Sequence, residues 1–115
     1  MKLKYLYLLL VVALFTVNCG DDDSDVCEVA NLTYNNDIAA IINSNCALSG
    51  CHEAGTMTTF PMSNFEETSA AVGLGRIKGA INQEPNFSPM PQGGDKLEDC
   101  TIDKISAWID DGAPE

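Results

Sequence analysis

The stretch Cys46-Ala-Leu-Ser-Gly-Cys51-His52 decides how the rest of the chain is interpreted, because it contains two of the five cysteines and the only histidine. Two thiols followed directly by an imidazole are the groups that covalent haem attachment requires: each thiol can form a thioether with a porphyrin vinyl group, and the imidazole can ligate the iron. The usual signature has two residues between the cysteines, whereas this chain has four. The stretch predicts a haem held by Cys46 and Cys51, with His52 as an axial ligand.

The chain begins with a segment that predicts export. Two lysines provide a positive start, and the apolar run over residues 6–15 is too short to span a bilayer as a helix. We expect residues 1–18 to be a signal peptide and Cys19 to become the lipidated first residue of a membrane-anchored lipoprotein, in the periplasm or on the cell surface. The alternative is an ordinary cleaved signal, with Cys19 lost or paired. Residues 19–33, which include an acidic run, are expected to form a tether.

The mature chain is strongly acidic. It keeps four of the six basic residues and all 17 acidic ones, a formal net charge of −13. Nucleic acid and anionic membrane surfaces are therefore unfavourable partners, because both repel a negative protein. The 97 residues that follow the signal are enough for one small domain. The marginal core of such a domain would benefit from a cross-link or an enclosed cofactor.

The remaining cysteines predict that cross-link. With Cys19 assigned to lipid and two thiols to haem, Cys27 and Cys100 are left. In an oxidising compartment we expect them to form a disulfide that closes a loop of more than 70 residues. Two unrelated free thiols are the alternative.

Apolar periodicity in the mature chain predicts helices and no strands. Ile38, Ile41 and Ile42 recur at helical spacing directly before the cysteine motif. Asn36 or Asp37 is the predicted cap of this helix. The helix therefore leads the chain into the motif and gives the porphyrin an apolar surface to pack on.

Further helical regions follow. The capping-box sequence Ser63-Asn64-Phe65-Glu66 predicts a helix start, and Gly73 and Gly75 interrupt that helix before a second piece over residues 76–81. The sequence does not distinguish one kinked helix from two. Prolines and glycines exclude regular structure over residues 84–95.

The last predicted helix is capped by Asp99 or Thr101 and ends at Asp110-Asp111-Gly112. Its apolar stripe consists of Ile102, Ile105, Trp108 and Ile109. The predicted fold class is all-α, with one domain over residues 34–115 that contains roughly three to four short helices and long loops.

The order of these features resembles that of a single-haem, lipoprotein-type cytochrome c. Four stretches carry the resemblance and cover most of the mature domain: Ile38–Asn45, Cys46–His52, Met90-Pro91-Gln92-Gly93-Gly94 and Leu97–Pro114. The resemblance implies a small class I cytochrome c-like domain around one haem c, with the first and last helices packed together. It also implies an electron carrier whose partners are redox proteins. We expect no small-molecule substrate, and hence no enzyme, because an iron with both axial positions filled has no open site.

A haem iron has two axial positions, and His52 can fill one of them. Met90 is the candidate for the second. Pro89 and Pro91 stiffen its loop, and the 38 residues that separate it from His52 allow the chain to reach the opposite face. Met62 is the second candidate. Ligation by a histidine and a methionine would raise the reduction potential.

Other side chains are candidates for the surroundings of the haem. Phe65, Phe87 and Trp108 could border its pocket. Arg76 and Lys78 could neutralise the haem propionates, although a solvated helix face is the expected role of both.

Two interpretations without haem remain open. A structural zinc ion could be bound by Cys46, Cys51, His52 and Cys100, since three cysteines and one histidine are a known ligand set. Alternatively, a small binding module could be stabilised by the disulfides Cys46–Cys51 and Cys27–Cys100. His52 would then be an ordinary surface residue.

Overall fold

The computed structural model describes residues 26–56 and 59–115. The regular structure of these residues is helical, and they contain no strand. The all-α prediction is confirmed at this level. The predicted signal peptide, Cys19 and the acidic run lie outside the described residues. In the part that is described, no helix has the length and apolar character needed to cross a membrane. The elements are a π-helical turn Tyr34–Ile38, α1 Ala39–Asn45, α2 Phe65–Gly73, α3 Ile77–Ile81 and α4 Asp99–Asp110.

The first helix starts earlier than the sequence predicts. Its cap is Thr33, whose Oγ1 accepts a hydrogen bond from the Asn36 N–H at 3.4 Å. Asp37 Oδ2 in turn accepts from the Thr33 N–H at 2.9 Å, so the two ends of the first turn bind each other. The prediction of Asn36 or Asp37 as the cap is wrong. The π-helical turn runs directly into α1, and together they carry the chain to Cys46.

The second helix is capped one residue later than the predicted capping box. Asn64 Oδ1 accepts from the Glu67 N–H at 2.9 Å, and Glu67 Oε2 accepts from the Ser63 N–H at 2.9 Å. Glu67, not Glu66, is therefore the acidic partner. The chain then forms two separate helices, because α2 ends at Gly73 and three residues precede α3.

The last helix forms over the predicted range but without the predicted cap. It begins at Asp99 after Glu98, and no side chain caps it; Thr101 lies inside it. Its carboxyl end is closed by the Ala113 N–H, which donates to the Trp108 carbonyl at 2.8 Å. Gly112, with φ +92°, makes the reversal that this bond requires.

The first and last helices pack against each other, as the resemblance implies. Trp108 and Ile38 are both 0 % exposed, and the Tyr34 and Trp108 ring centroids are 6.0 Å apart. The Pro114 carbonyl accepts from both Trp108 Nε1 at 2.8 Å and the Tyr34 N–H at 3.0 Å. The buried residues of this cluster are Leu32, Tyr34, Ile38, Ile42, Met62, Ala71, Trp108 and Ala113. A second buried cluster, Ile81, Ile102 and Ile105, joins α3 to α4.

The Cys27–Cys100 disulfide is present, as predicted. It bonds the segment before the first helix to the first turn of α4. Leu32 is buried in the core at 3 % exposure. The region predicted as a tether, residues 19–33, therefore contains residues that belong to the packed domain.

Removal of this disulfide by the double substitution Cys27→Ala and Cys100→Ala should lower the free energy of unfolding by about 2–4 kcal/mol, since the unfolded chain is no longer constrained. Denaturant titration of the mature domain produced without haem measures the change. Cys51→Ala, which removes an exposed free thiol, is the matched control and should change stability by less than about 0.5 kcal/mol. A loss below about 1 kcal/mol in the double variant would contradict the role given to the disulfide.

Candidate functional site

A largely apolar cavity of about 320 Å³ lies between the cysteine motif and the loop that follows α3. Its volume is within the range of ligand pockets, roughly 300–1,000 Å³. A neighbouring depression of about 750 Å³ shares five lining residues with it: Cys46, His52, Phe60, Ile81 and Met90. Cys51 lines the second depression. Cys46, His52 and Met90 therefore border both depressions, and Cys51 borders only the second.

The longer spacer of the cysteine motif folds into a compact turn. The Cys46 N–H continues α1 by donating to the Ile42 carbonyl at 2.8 Å. The Cys51 N–H donates to the Leu48 carbonyl at 2.9 Å, and the His52 N–H returns to the Cys46 carbonyl at 3.1 Å. Because the turn closes on itself, four intervening residues bring His52 back beside the first cysteine.

The imidazole of His52 is oriented by a backbone carbonyl. Nδ1 lies 2.7 Å from the Phe60 carbonyl oxygen, which can only accept, so the proton of this hydrogen bond belongs to Nδ1. In the neutral ring Nε2 then carries the lone pair, and a metal-binding histidine commonly has this arrangement. The Met62 N–H donates to the His52 carbonyl at 2.8 Å and fastens the same two segments together. The Phe60 carbonyl could not be identified from sequence, because any residue provides one.

The two candidate methionines have different surroundings. Met90 is half-buried and lines both depressions, and its N–H donates to the Ala80 carbonyl at the end of α3 at 3.0 Å. Met62 lines only the first and is 5 % exposed within the main core. Met62 thus already contributes to the packing of the domain, whereas Met90 is carried to the cavity by a loop.

Of the three aromatic residues considered for the pocket, only Phe87 lines it. Trp108 and Phe65 instead both pack near the ring of Tyr34, and the Phe65 and Tyr34 centroids are 5.4 Å apart. Phe87 lies on Gly79 of α3, where an added Cβ would come within 2.5–2.6 Å of the phenyl ring. Sequence analysis missed Gly79. Its signal, a glycine inside a short helix, does not reveal which side chain needs the space.

Gly79→Ala should therefore displace Phe87 from the cavity wall and lower the free energy of unfolding by about 1–3 kcal/mol, the usual cost of overpacking. Thermal or denaturant unfolding measures the change. Gly73→Ala, at the end of α2, introduces the same methyl group where no atom lies within 4 Å, and it should leave stability unchanged or raise it by up to about 1 kcal/mol. Equal effects of the two substitutions would contradict the close approach at Gly79.

Cys46 and Cys51 are both free thiols in the structure. Cys51 is exposed, whereas burial raises the pKa of the Cys46 thiol to about 11, with a smaller contribution from Cys51. Cys46 is therefore protonated at neutral pH and is a poor nucleophile. The alternative disulfide between these two cysteines is not formed.

The zinc site is not assembled either. Cys100 is bonded to Cys27 and cannot act as the fourth ligand. Among the described residues there is no group of three or more histidine, cysteine, aspartate or glutamate side chains arranged to hold a metal ion. The alternative zinc site, with Cys100 as its fourth ligand, is therefore not formed among the described residues.

The raised pKa predicts unequal alkylation of the two thiols in the haem-free protein. Iodoacetamide should modify exposed Cys51 first. In a Cys51→Ala variant, the rate at Cys46 should still be rising between pH 9 and 10, because burial, the larger cause of the raised pKa, is unchanged in that variant. Peptide mass spectrometry measures both rates. A Cys46 rate that levels off near pH 9 would contradict the effect of burial.

Comparison of the chain with known protein families, curated proteins and solved structures found no match.

Proposed function

We propose that the protein is an electron carrier that binds one haem c covalently in a class I cytochrome c-like domain. The observation that supports this best is that two adjoining depressions are together bordered by two free thiols, the only histidine and a loop methionine. Cys46, Cys51 and His52 belong to one short motif, whereas Met90 lies 38 residues beyond His52, so only the fold brings the methionine to the motif.

The residues present fit the group. Cys46 and Cys51 would hold the haem through thioethers; each bond forms by addition of one S–H across one vinyl double bond, so it needs a free thiol and no oxidant. His52 and Met90 would be the axial ligands, with Met62 as the alternative to Met90. A porphyrin supplies four nitrogens itself, so two protein ligands are sufficient and a cluster of three or more is not required.

The haem iron, when bound, accepts and releases one electron. The chain's own residues would set how readily it does so. The hydrogen bond from His52 Nδ1 to the Phe60 carbonyl holds the ring in one tautomer and makes Nε2 a stronger ligand. A thioether ligand such as Met90 raises the reduction potential. With both axial positions filled no open site remains for a substrate, so the proposed role is electron transfer and not catalysis.

The proposed location rests on the predicted signal segment and Cys19, and the proposed partners rest on the charge of the chain. Lipid on Cys19 would tether the carrier to a membrane in the periplasm or on the cell surface. A formal net charge of −13 after removal of the signal favours redox partners with basic docking surfaces. It also disfavours nucleic acid.

The second candidate function is a small binding module without haem. The apolar cavity supports it, because a cavity of about 320 Å³ can hold a small apolar ligand non-covalently. The Cys27–Cys100 disulfide would stabilise such a module equally well. This function requires no role for Cys46, Cys51 or Met90.

The two functions are separated by producing the protein in cells that attach c-type haem. We expect the intact mass to increase by one haem that survives denaturation, and the reduced spectrum to have the sharp bands of six-coordinate low-spin iron. Cys46→Ala and Cys51→Ala should each reduce attachment, because each removes one thioether. A colourless, folded protein of unmodified mass would exclude the electron carrier and favour the binding module.

A pair of substitutions then identifies the axial methionine. Met90→Leu removes the thioether at nearly constant volume and should convert the spectrum to that of an iron lacking its sulfur ligand. Met62→Leu is the matched control: it should leave the spectrum unchanged and cost less than about 1.5 kcal/mol of stability. The reverse pattern would assign the ligand to Met62.

A further inference from the structure

A buried hydroxyl connects α2 with the loop that precedes it. Thr68 of α2 is 0 % exposed, and no other residue outside the apolar and aromatic classes is buried among the described residues. A threonine inside a helix commonly bonds the carbonyl four residues earlier. The Thr68 hydroxyl instead donates to the Met62 carbonyl at 3.3 Å, which lies outside the helix. A valine would fill the same space without the cost of burying a hydroxyl, so this bond accounts for a polar residue here.

The peptide unit between Met62 and Ser63 is held by α2 at both of its polar atoms. Its carbonyl oxygen accepts from the Thr68 hydroxyl, and its N–H donates to Glu67 Oε2 at 2.9 Å. Because a peptide unit is planar, bonds at its carbonyl and at its N–H together fix its orientation. Two consecutive residues of one helix therefore determine how this loop is placed.

The same loop contacts His52 at the main chain and at the ring. The Met62 N–H donates to the His52 carbonyl at 2.8 Å, and Ser63 Oγ accepts from the Ala54 N–H at 2.7 Å. The carbonyl that accepts from His52 Nδ1 belongs to Phe60, two residues before Met62. The place of this carbonyl therefore depends on the peptide unit that α2 holds.

We propose that Thr68 is a positioning residue for His52. Its hydroxyl fixes the loop that presents the Phe60 carbonyl to Nδ1, so the neutral ring keeps its proton on Nδ1 and presents the lone pair of Nε2. This inference deepens the proposed function and rests on it for the role of Nε2 as an iron ligand. The tautomer of His52 is a property of the chain itself and can be measured without haem.

The first test uses the mature protein produced without haem and with isotope-labelled histidine. Because His52 is the only histidine, its nitrogen NMR shifts at about pH 9, where a neutral ring predominates, give the ratio of the two tautomers. We expect the Nδ1–H form to be favoured. Thr68→Val removes the hydroxyl at nearly constant volume. It should lower the ratio of Nδ1–H to Nε2–H by about two- to fivefold, the upper figure corresponding to the loss of one typical hydrogen bond.

Two control variants separate positioning from packing. Thr68→Ser keeps the hydroxyl and removes a buried methyl group, so it should lower the unfolding temperature but preserve the tautomer ratio. Ile102→Val removes a buried methyl group where α4 packs on α3, and it should have the same two results. A ratio that falls in all three variants would overturn the inference, because it would then follow stability and not the hydroxyl.

A further variant covers the case in which Thr68→Val does not fold. Ser63→Ala removes the acceptor of the Ala54 N–H without removing a core contact, so it loosens the same loop and should lower the ratio in the same direction. An unchanged ratio in folded Thr68→Val, or in Ser63→Ala where Thr68→Val does not fold, would overturn the inference. A preference for the Nε2–H form in the unsubstituted protein would also overturn it.

The second test measures the midpoint potential of the haem-loaded protein. A hydrogen bond at Nδ1 makes the imidazole a more basic ligand, and a more basic ligand stabilises the oxidised iron. Thr68→Val should therefore raise the midpoint potential, whereas Thr68→Ser and Ile102→Val should leave it unchanged. Equal shifts in the three variants would contradict a role for the hydroxyl.

The outcomes distinguish this inference from the proposed function. A tautomer ratio that depends on the Thr68 hydroxyl, in a protein that never acquires covalent haem, would support the positioning role and exclude the electron carrier. Normal haem attachment, with the same tautomer ratio and the same potential in Thr68→Val as in the unsubstituted protein, would do the reverse.

Discussion

The contact between Trp108 and the first helix is the interaction on which the rest of the structure depends. The indole is completely buried against Tyr34 and Ile38, and a buried N–H needs an acceptor. The Pro114 carbonyl provides it and simultaneously accepts from the Tyr34 N–H. The Pro114 oxygen thus fixes the segment after α4 on the start of the first helix. These bonds give the otherwise unspecific apolar contact between Trp108 and the first helix a defined geometry.

Both walls of the cavity are connected to the helix that contains Trp108. On one side, the first helix packs on this residue and ends at Asn45, directly before Cys46, so its position determines where the cysteine motif begins. On the other side, Ile102 and Ile105 of α4 pack on Ile81 of α3, and the loop after α3 carries Met90. A disturbance of α4 would therefore alter the separation of the motif from the methionine loop, although neither belongs to α4.

The sequence was sufficient for those features that depend on the nature of neighbouring residues. Apolar spacing identified the helices, and the cysteine count identified the Cys27–Cys100 pair. The helix caps were predicted less well, because several polar residues compete at each helix start: Thr33 caps the first helix although Asn36 is an equally good candidate by residue type. Other features depend on contacts between distant segments, which no local pattern encodes. They are the bond of His52 to the Phe60 carbonyl, the contact of Phe87 with Gly79, and the different partners of Arg76 and Lys78, which are Phe87 and Asp110.

Together with the proposed lipid on Cys19, the Cys27–Cys100 disulfide would limit how far the domain can move from the membrane. It fixes the chain at Cys27, eight residues after the expected lipid-bearing Cys19. Eight residues span at most about 29 Å even when fully extended. With the proposed lipid on Cys19, the proposed carrier would stay close to the membrane and would not diffuse to distant proteins. Its exchange of electrons would be confined to partners whose reactive surfaces lie close to the same bilayer, and encounters would occur by lateral movement in the membrane plane.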